Sequence, residues 1–264
     1  VSLAPNELLK GRTALITGGT SGIGYSIAKA FLASGAKVCI TGRNEQKLNM
    51  ACMQLKAIQP SYDHCVYGII MDNRKVSDFP SKIDDILRMQ GVNSIDILVN
   101  NAGVLGGEIA TATEEIYDEI LDTNLKGMFF LSQTMGKYMR DNQIKGNILN
   151  IASSSSLRPA VSAYTLTKWG TRGLTLGLAK VFAPYGITVN GIAPGPTATP
   201  MLGKNEESDI TFLTNPLGRY ALPEELANMA VFLVSDMGRS VVGDIIYMTG
   251  GSGLVTLDDV SYYF

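Results

Sequence analysis

"TALITGGTSGIGYSIAKAF" occupies residues 13–31. Its first five residues are apolar or β-branched, as in a strand. A glycine-rich turn follows, and then apolar residues recur at helical spacing through Ile27, Ala28 and Phe31. Gly18, Gly22 and Gly24 allow a tight turn and a close backbone approach to a pyrophosphate. That group then sits on a helix N-terminus, whose first N–H groups lack partners within the helix. Thr20, Ser21 and Ile23 lie in the same turn and join the three glycines as candidate cofactor contacts. A strand, this turn and a helix in immediate succession predict the opening unit of a dinucleotide-binding sheet.

Working outward, strand-like runs recur along the chain: "KVCIT" from Lys37, "CVYGIIM" from Cys65, "DILVN" from Asp96, "NILNIA" from Asn147, "ITVNGI" from Ile187 and "DIIYM" from Asp244. They are almost continuously apolar, the mark of strands covered on both faces. Helical stripes lie between them, such as Phe79, Ile83, Ile86 and Leu87, or Ile120, Leu121, Leu125 and Met128, or Leu226, Ala230 and Leu233. "SGA" from Ser34 reads as a glycine stop, and "LPEEL" from Leu222 as a helix start. The alternation predicts an α/β fold with a doubly wound, seven-stranded parallel sheet and helices on both faces. No repeat or linker interrupts it, so residues 1–264 read as one domain.

The bulk composition agrees with this. The chain has 264 residues, 45% hydrophobic and 17% charged, with 22 Lys+Arg against 24 Asp+Glu. The formal charge of -2 gives no basic excess for nucleic acid or an anionic membrane. Cys39, Cys52 and Cys65 suit neither a disulfide frame nor a metal site, and the single histidine, His64, has no ligand partners. The expectation is a cytoplasmic protein with no metal and no membrane span.

The second strand ends in "TGRNEQ". NAD-binding relatives of this architecture place an acid there to hold ribose hydroxyls. Gly42 and Arg43 stand there instead. A guanidinium suits a 2′-phosphate, so NADP is expected rather than NAD. Asp72, in "IIMDN", stands where it would meet an adenine ring or cap the next helix, and the residues alone leave both open.

"TGGTSGIG", "NNAG" ending at Gly103, Asn124 in "DTNLKG", a serine closing the fifth strand, "YTLTK" and "PGPTATP" occur in this order. Together they resemble the short-chain dehydrogenase/reductases, over nearly the whole stretch from Arg12 to Gly251. The resemblance implies a Rossmann fold, a nicotinamide cofactor, a small carbonyl or alcohol substrate and a homo-oligomer, tetramer or dimer. It also implies cofactor contacts at Asn101, Ala102, Gly103, Pro194, Gly195, Thr197 and Thr199, with the backbone of Thr197 mattering more than its hydroxyl. In the family, Asn124 bends its helix and holds a water that links the catalytic lysine to solvent. The catalytic serine maps to Ser153.

Tyr164 and Lys168 stand four apart and share a helix face. A free tyrosine titrates near pH ~10, too high for acid–base work at neutral pH. A neighbouring ammonium and an oxidised nicotinamide favour tyrosinate, so the expectation is a lowered pKa. Tyr164 then exchanges a proton with the substrate oxygen while Ser153 holds it, and both Tyr164 and Lys168 also touch the cofactor. The loop between Ser153 and Tyr164 is shorter than is common in the family, which leaves Ser155 as runner-up for the hydroxyl.

Residues 200–220 read as a substrate flap with Phe212 on an apolar underside, and Arg158 as a contact for an anionic substrate. The tail, 252–264, ends in Tyr262, Tyr263 and Phe264, which either pack on a neighbouring subunit or fray. The leading reading is an NADP-dependent alcohol/ketone oxidoreductase. "PLGRYALPEELANMAVFLVSD" from Pro216 keeps a 3-oxoacyl-thioester reductase as the alternative, and a non-catalytic NADP-binding sensor as a remoter one.

Overall fold

The computed structural model describes residues 4–204, 208–253 and 255–256. The Tyr262–Phe264 end of the tail lies outside them.

Seven strands form one sheet: β1 (Thr13–Ile16), β2 (Lys37–Gly42), β3 (Val66–Ile70), β4 (Ile97–Asn100), β5 (Asn147–Ile151), β6 (Thr188–Pro194) and β7 (Ile245–Met248). Their spatial order is β3-β2-β1-β4-β5-β6-β7, and every pairing is parallel. All seven match runs legible in the sequence. The continuous apolarity has a simple cause. Ala14 and Ile16 of β1 face one core while Leu15 faces the other, and β2 divides Val38 and Ile40 from Cys39 in the same way.

The helices are α1 (Gly22–Ala33), α2 (Glu45–Lys56), α3 (Phe79–Leu87), α4 (Glu114–Leu121), α5 (Gly127–Asp141), α6 (Ala163–Phe182) and α7 (Pro223–Val234). One core joins α1, α2 and α7 to the sheet, and the other joins α3 and α5 to it. Helix ends obey local chemistry. Asn44, Thr113 and Ser162 cap α2, α4 and α6 by accepting from backbone N–H groups at Lys47, Ile116 and Thr165. Gly35, at φ +85°, closes α1 as its position suggested. Pro223 opens α7, and Glu225 accepts from the Leu222 N–H at 2.7 Å.

One local feature departs from the sequence pattern. The apolar stripe from Ile120 to Met128 alone reads as one α-helix, but residues 122–126 form a π-helical turn between α4 and α5, at the place where the resemblance implies a bend at Asn124. Asn124 lies at its centre, 1% exposed.

β1 sits where the strand order reverses, with β2 on one side and β4 on the other. Parallel sheets open a crevice there at their carboxyl ends. A cleft of about 480 Å³ occupies that place.

Candidate active site

The glycine turn and "NNAG" build one structure. Thr17 Oγ accepts from the N–H groups of Asn101 and Ala102, each at 3.0 Å, and donates to Val99 O at 3.3 Å. The Asn101 amide donates at 3.0 Å to the carbonyls of Thr17 and Gly18. Gly18 and Gly22 adopt φ of +63° and +56°, which only glycine takes readily. A Cβ on Gly24 would collide with the Asn101 amide and would lie 2.6 Å from Gly18 O. Asn101 therefore braces the loop as well as lining the cleft. Thr20, Ser21, Ile23, Ala102 and Gly103 line the cleft beside it.

At the end of β2, a Cβ on Gly42 would lie 2.7 Å from Thr20 Cγ2, so any side chain there would have to push the Thr20 methyl aside. Arg43 lines the cleft next to it. Asp72 caps no helix. Its carboxylate accepts from the N–H of Arg74 at 3.0 Å and from the Arg74 guanidinium at 2.7 Å, and these bonds hold its pKa below the usual carboxylate value.

The far wall follows β6. Pro194, Gly195, Thr197 and Thr199 all line the cleft. The Thr197 hydroxyl is turned back onto Gly195 O at 2.9 Å, in keeping with a backbone role for that residue. Thr199 faces Gly22 across the cleft: a Cβ on that glycine would meet its side chain at 3.5 Å.

The fit of these residues to a dinucleotide can be tested on the chain itself. The Gly18–Gly22 cradle leaves backbone exposed at the N-terminus of α1. Thr123 Oγ1, on the cleft wall, is buried without a hydrogen-bond partner. A buried polar atom of this kind calls for a ligand group. The residues fit the group.

At the inner end, Ser153, Tyr164 and Lys168 converge. The segment 106–109 after β4 pairs with the entry to α6: Ala163 N–H donates to Gly107 O at 2.8 Å, and Tyr164 N–H to Gly106 O at 3.3 Å. Lys168 is buried. Its Nζ donates to Ile151 O at 2.8 Å and lies 5.4 Å from the centre of the Tyr164 ring. Burial depresses its pKa to about 8. Tyr164 reverses the sequence expectation. Burial raises its pKa, and only a hydrogen bond with Ser153 pulls it down. Desolvation of the phenolate is the larger effect in the chain by itself.

Ser153, just past the end of β5, lines the cleft with Tyr164 and Lys168, as do Ser154 and Ser155. The short loop is absorbed by a 3-10 turn over Ser154–Leu157, capped by Ser153, whose Oγ accepts from Ser155 N–H at 3.1 Å. Ser155 reaches Ser153 Oγ at 3.1 Å, while Ser156 turns away to Ser153 O at 2.8 Å.

Asn124 Oδ1 accepts from Val104 N–H at 2.8 Å. Its amide donates to Val104 O at 2.9 Å and to Thr167 Oγ1 at 3.3 Å. It clamps the segment after "NNAG" to α6.

Arg158 lines the cleft, with its guanidinium on Ser252 Oγ at 3.1 Å. Phe212 does not line it. Its ring stacks on Tyr220 at 4.6 Å, and Leu213 faces solvent at 86% exposure. The apolar residues on the mouth are Leu105, Met201 and Leu202. Sequence reasoning passed over Thr17, Val104, Thr123 and the Ile151 carbonyl. Thr17 carries a legible signal, a polar residue closing an apolar strand just before glycines. The carbonyl carries none.

Residues 12–210 match the family model described as short chain dehydrogenase. A 3alpha-hydroxysteroid dehydrogenase of Mediterraneibacter gnavus is 35% identical over 250 residues, covering 93% of this chain and 98% of that protein. A gluconate 5-dehydrogenase of Gluconobacter oxydans is 33% identical, covering 92% of this chain and 95% of that protein. The solved structure of a 3-ketoacyl-(acyl-carrier-protein) reductase from Brucella melitensis, complexed with NADH, superposes with TM-score 0.83 at 28% identity, covering 93% of this chain and 100% of that one. The chain belongs to the short-chain dehydrogenase/reductase family and is an oxidoreductase. The family's nicotinamide cofactor goes with that membership. No helix is long and apolar enough to cross a membrane among the described residues.

Proposed function

We propose that this chain is an NADP-dependent oxidoreductase that interconverts a secondary alcohol and a ketone, with Tyr164 as the acid–base group. The observation that carries this reading is the convergence of Ser153, Tyr164 and Lys168 at the inner end of the cleft. When bound, the nicotinamide dinucleotide supplies or accepts the hydride. Tyr164 gives its hydroxyl proton to the substrate oxygen in reduction and takes one back in oxidation. Ser153 holds the same oxygen and offsets its developing negative charge. Lys168, with a pKa of about 8, is mostly charged at neutral pH, and its bond to Ile151 O fixes it beside the tyrosine ring. Asn124 keeps Val104 and Thr167 in register around this centre.

Gly18, Thr20, Ser21, Gly22, Ile23 and Gly24 would hold the pyrophosphate side of the cofactor, and Asn101, Ala102, Gly103, Pro194, Gly195, Thr197 and Thr199 the opposite side. The preference for NADP rests on Arg43 and on Gly42 standing where an acid would otherwise hold the ribose.

A 3-oxoacyl-thioester reductase is the narrower alternative within the same chemistry. It is favoured by the likeness to the Brucella melitensis enzyme and by residues 216–236. Arg158 beside Ser155 offers a cation to an acidic substrate. An apolar outer face on α4, α5 and α6, with Tyr117, Phe129, Phe130 and Trp169 exposed, supports a homo-oligomer. Cys39, Cys52 and Cys65 are free thiols, which suits a cytoplasmic setting.

The test is NADPH and NADH oxidation over a panel of 3-oxoacyl thioesters, steroid ketones, ketoses and diketones. Tyr164→Phe is expected to abolish turnover while cofactor binding persists. Turnover surviving in that variant would overturn the acid–base role. Equal binding of NADH and NADPH, unchanged in Arg43→Ala, would overturn the cofactor preference.

A further inference from the structure

The cleft-lining residues Arg43 and Asp72 belong to a charge cluster whose other members, Arg74 and Glu119, this reading leaves unused. Arg43 follows β2, Arg74 follows β3, and both reach one oxygen of Glu119 on α4. Arg43 Nη1 lies 3.4 Å from Glu119 Oε1, and Arg74 Nη1 lies 3.6 Å from the same atom. Asp72 grips Arg74 separately, at 2.7 Å to Nη2 and 3.0 Å to Nε. Asp122 also acts on Arg74 electrostatically but is paired with Lys126 at 3.1 Å. Two guanidiniums and two carboxylates therefore cancel in formal charge.

The two carboxylates are held differently. Asp72 is 16% exposed and uses both oxygens on Arg74, so it orients that guanidinium. Glu119 is 45% exposed and offers a single oxygen at longer range to both arginines. Exposed pairs of that geometry are weak and readily exchanged. A phosphate dianion beside Arg43 would meet the Glu119 carboxylate within reach of the same guanidinium, and like charges at such range repel. Phosphate is also the stronger match for a pair of guanidiniums.

We infer that Glu119 is an internal stand-in for the 2′-phosphate of NADP, and that Arg74 is the second arginine of the phosphate site. Glu119 occupies the fork between Arg43 and Arg74 when no phosphate is there, and it must leave when one arrives. The inference rests on the NADP reading above. It predicts that the chain discriminates between the two cofactors less than its arginines would allow, because each binding event has to displace a native anion.

The experiment is direct binding, read by NAD(P)H fluorescence and by calorimetry with adenosine 2′,5′-bisphosphate against 5′-AMP. The proteins are the full chain and its Glu119→Gln, Arg74→Met and Arg43→Met variants, each matched to the parent by thermal unfolding. Glu119→Gln is expected to tighten NADPH and the bisphosphate by about threefold to tenfold while leaving NADH and 5′-AMP unchanged. Arg74→Met is expected to weaken the phosphorylated ligands alone. If the parent prefers NADPH and Glu119→Gln leaves the NADPH/NADH ratio unmoved, the stand-in is wrong and the cofactor reading survives. A silent Arg74→Met removes that residue from the site. If the parent binds both cofactors alike and Arg43→Met is silent, the cofactor reading falls and takes this inference with it.

Discussion

The Lys168 ammonium lies 5.4 Å from the centre of the Tyr164 ring and is tethered at 2.8 Å to the carbonyl of Ile151, the last residue of β5. The lysine is thus held by the sheet, and the tyrosine one helical turn away is presented to the cleft. Burial acts on the two in opposite senses, lowering the lysine pKa to about 8 and raising that of the tyrosine.

The lysine shift implies a pH-dependent cost. Unfolded, Lys168 holds its proton up to its ordinary value of 10.5; folded, it releases it near 8. Between those values the unfolded chain binds more protons, so the contribution of this group to stability rises with pH across that window. Below pH 8 its full burial penalty applies, about 3 kcal/mol. Lys168→Met is expected to be more stable than the parent at pH 7, with the gap closing by pH 10.5. Denaturant unfolding of both proteins across this range checks it, and a gap that does not change with pH would contradict it.

Ser153 and Ser155 are separable by kinetics. Ser153→Ala removes the hydroxyl proposed to hold the substrate oxygen, and kcat is expected to fall by about 10²–10³. Ser155→Ala is expected to change kcat by less than about tenfold, since Ser155 lines the cleft beside Ser153 and its hydroxyl accepts from Ser153 Oγ at 3.1 Å. A reversed order would move the catalytic hydroxyl to Ser155.

Asn124→Ala strips the partners from both backbone groups of Val104. Orphaned polar groups cost about 1–3 kcal/mol each when buried, and these part-buried ones at the cleft cost less. The melting temperature is expected to fall by several degrees, with kcat falling further than the fraction unfolded explains. Differential scanning calorimetry alongside steady-state assays tests it. A variant that melts with the parent would mean the clamp contributes nothing.

The exposed aromatics of α5 and α6 give an assembly prediction. Phe130→Glu with Trp169→Glu is expected to convert the oligomer to monomer in sedimentation velocity. A parent that already sediments as a monomer would refute the homo-oligomer.

Much of this architecture was legible because burial on two faces leaves a plain mark. Strands such as Ile97–Asn100 have no polar face to confuse the pattern. The glycine turn was legible because its φ values admit few other residues. The π turn at 122–126 was not legible in the apolar stripe, which one inserted residue barely disturbs; only the resemblance pointed to a bend at Asn124. The sign of the Tyr164 shift was hidden because desolvation depends on packing that no local spacing encodes. Phe212 misled because a short local pairing between Thr211 and Arg219 turns its ring onto Tyr220 instead of into the cleft. Ser153 still lines the cleft despite the short loop, because a 3-10 turn takes up the missing length.

The walls around the substrate end have one property in common. Neither of the two large apolar cores draws a buried residue from 154–161 or 200–220 among the described residues, and the serine turn and flap meet the start of the tail through Arg158 to Ser252 and Asn215 to Thr249. Ser153, Tyr164 and Lys168, by contrast, are held by the end of β5 and by α6. Substitutions that reshape the mouth therefore leave the foundations of the fold intact. A lineage built on this plan can change diet without relearning how to fold or how to move a proton.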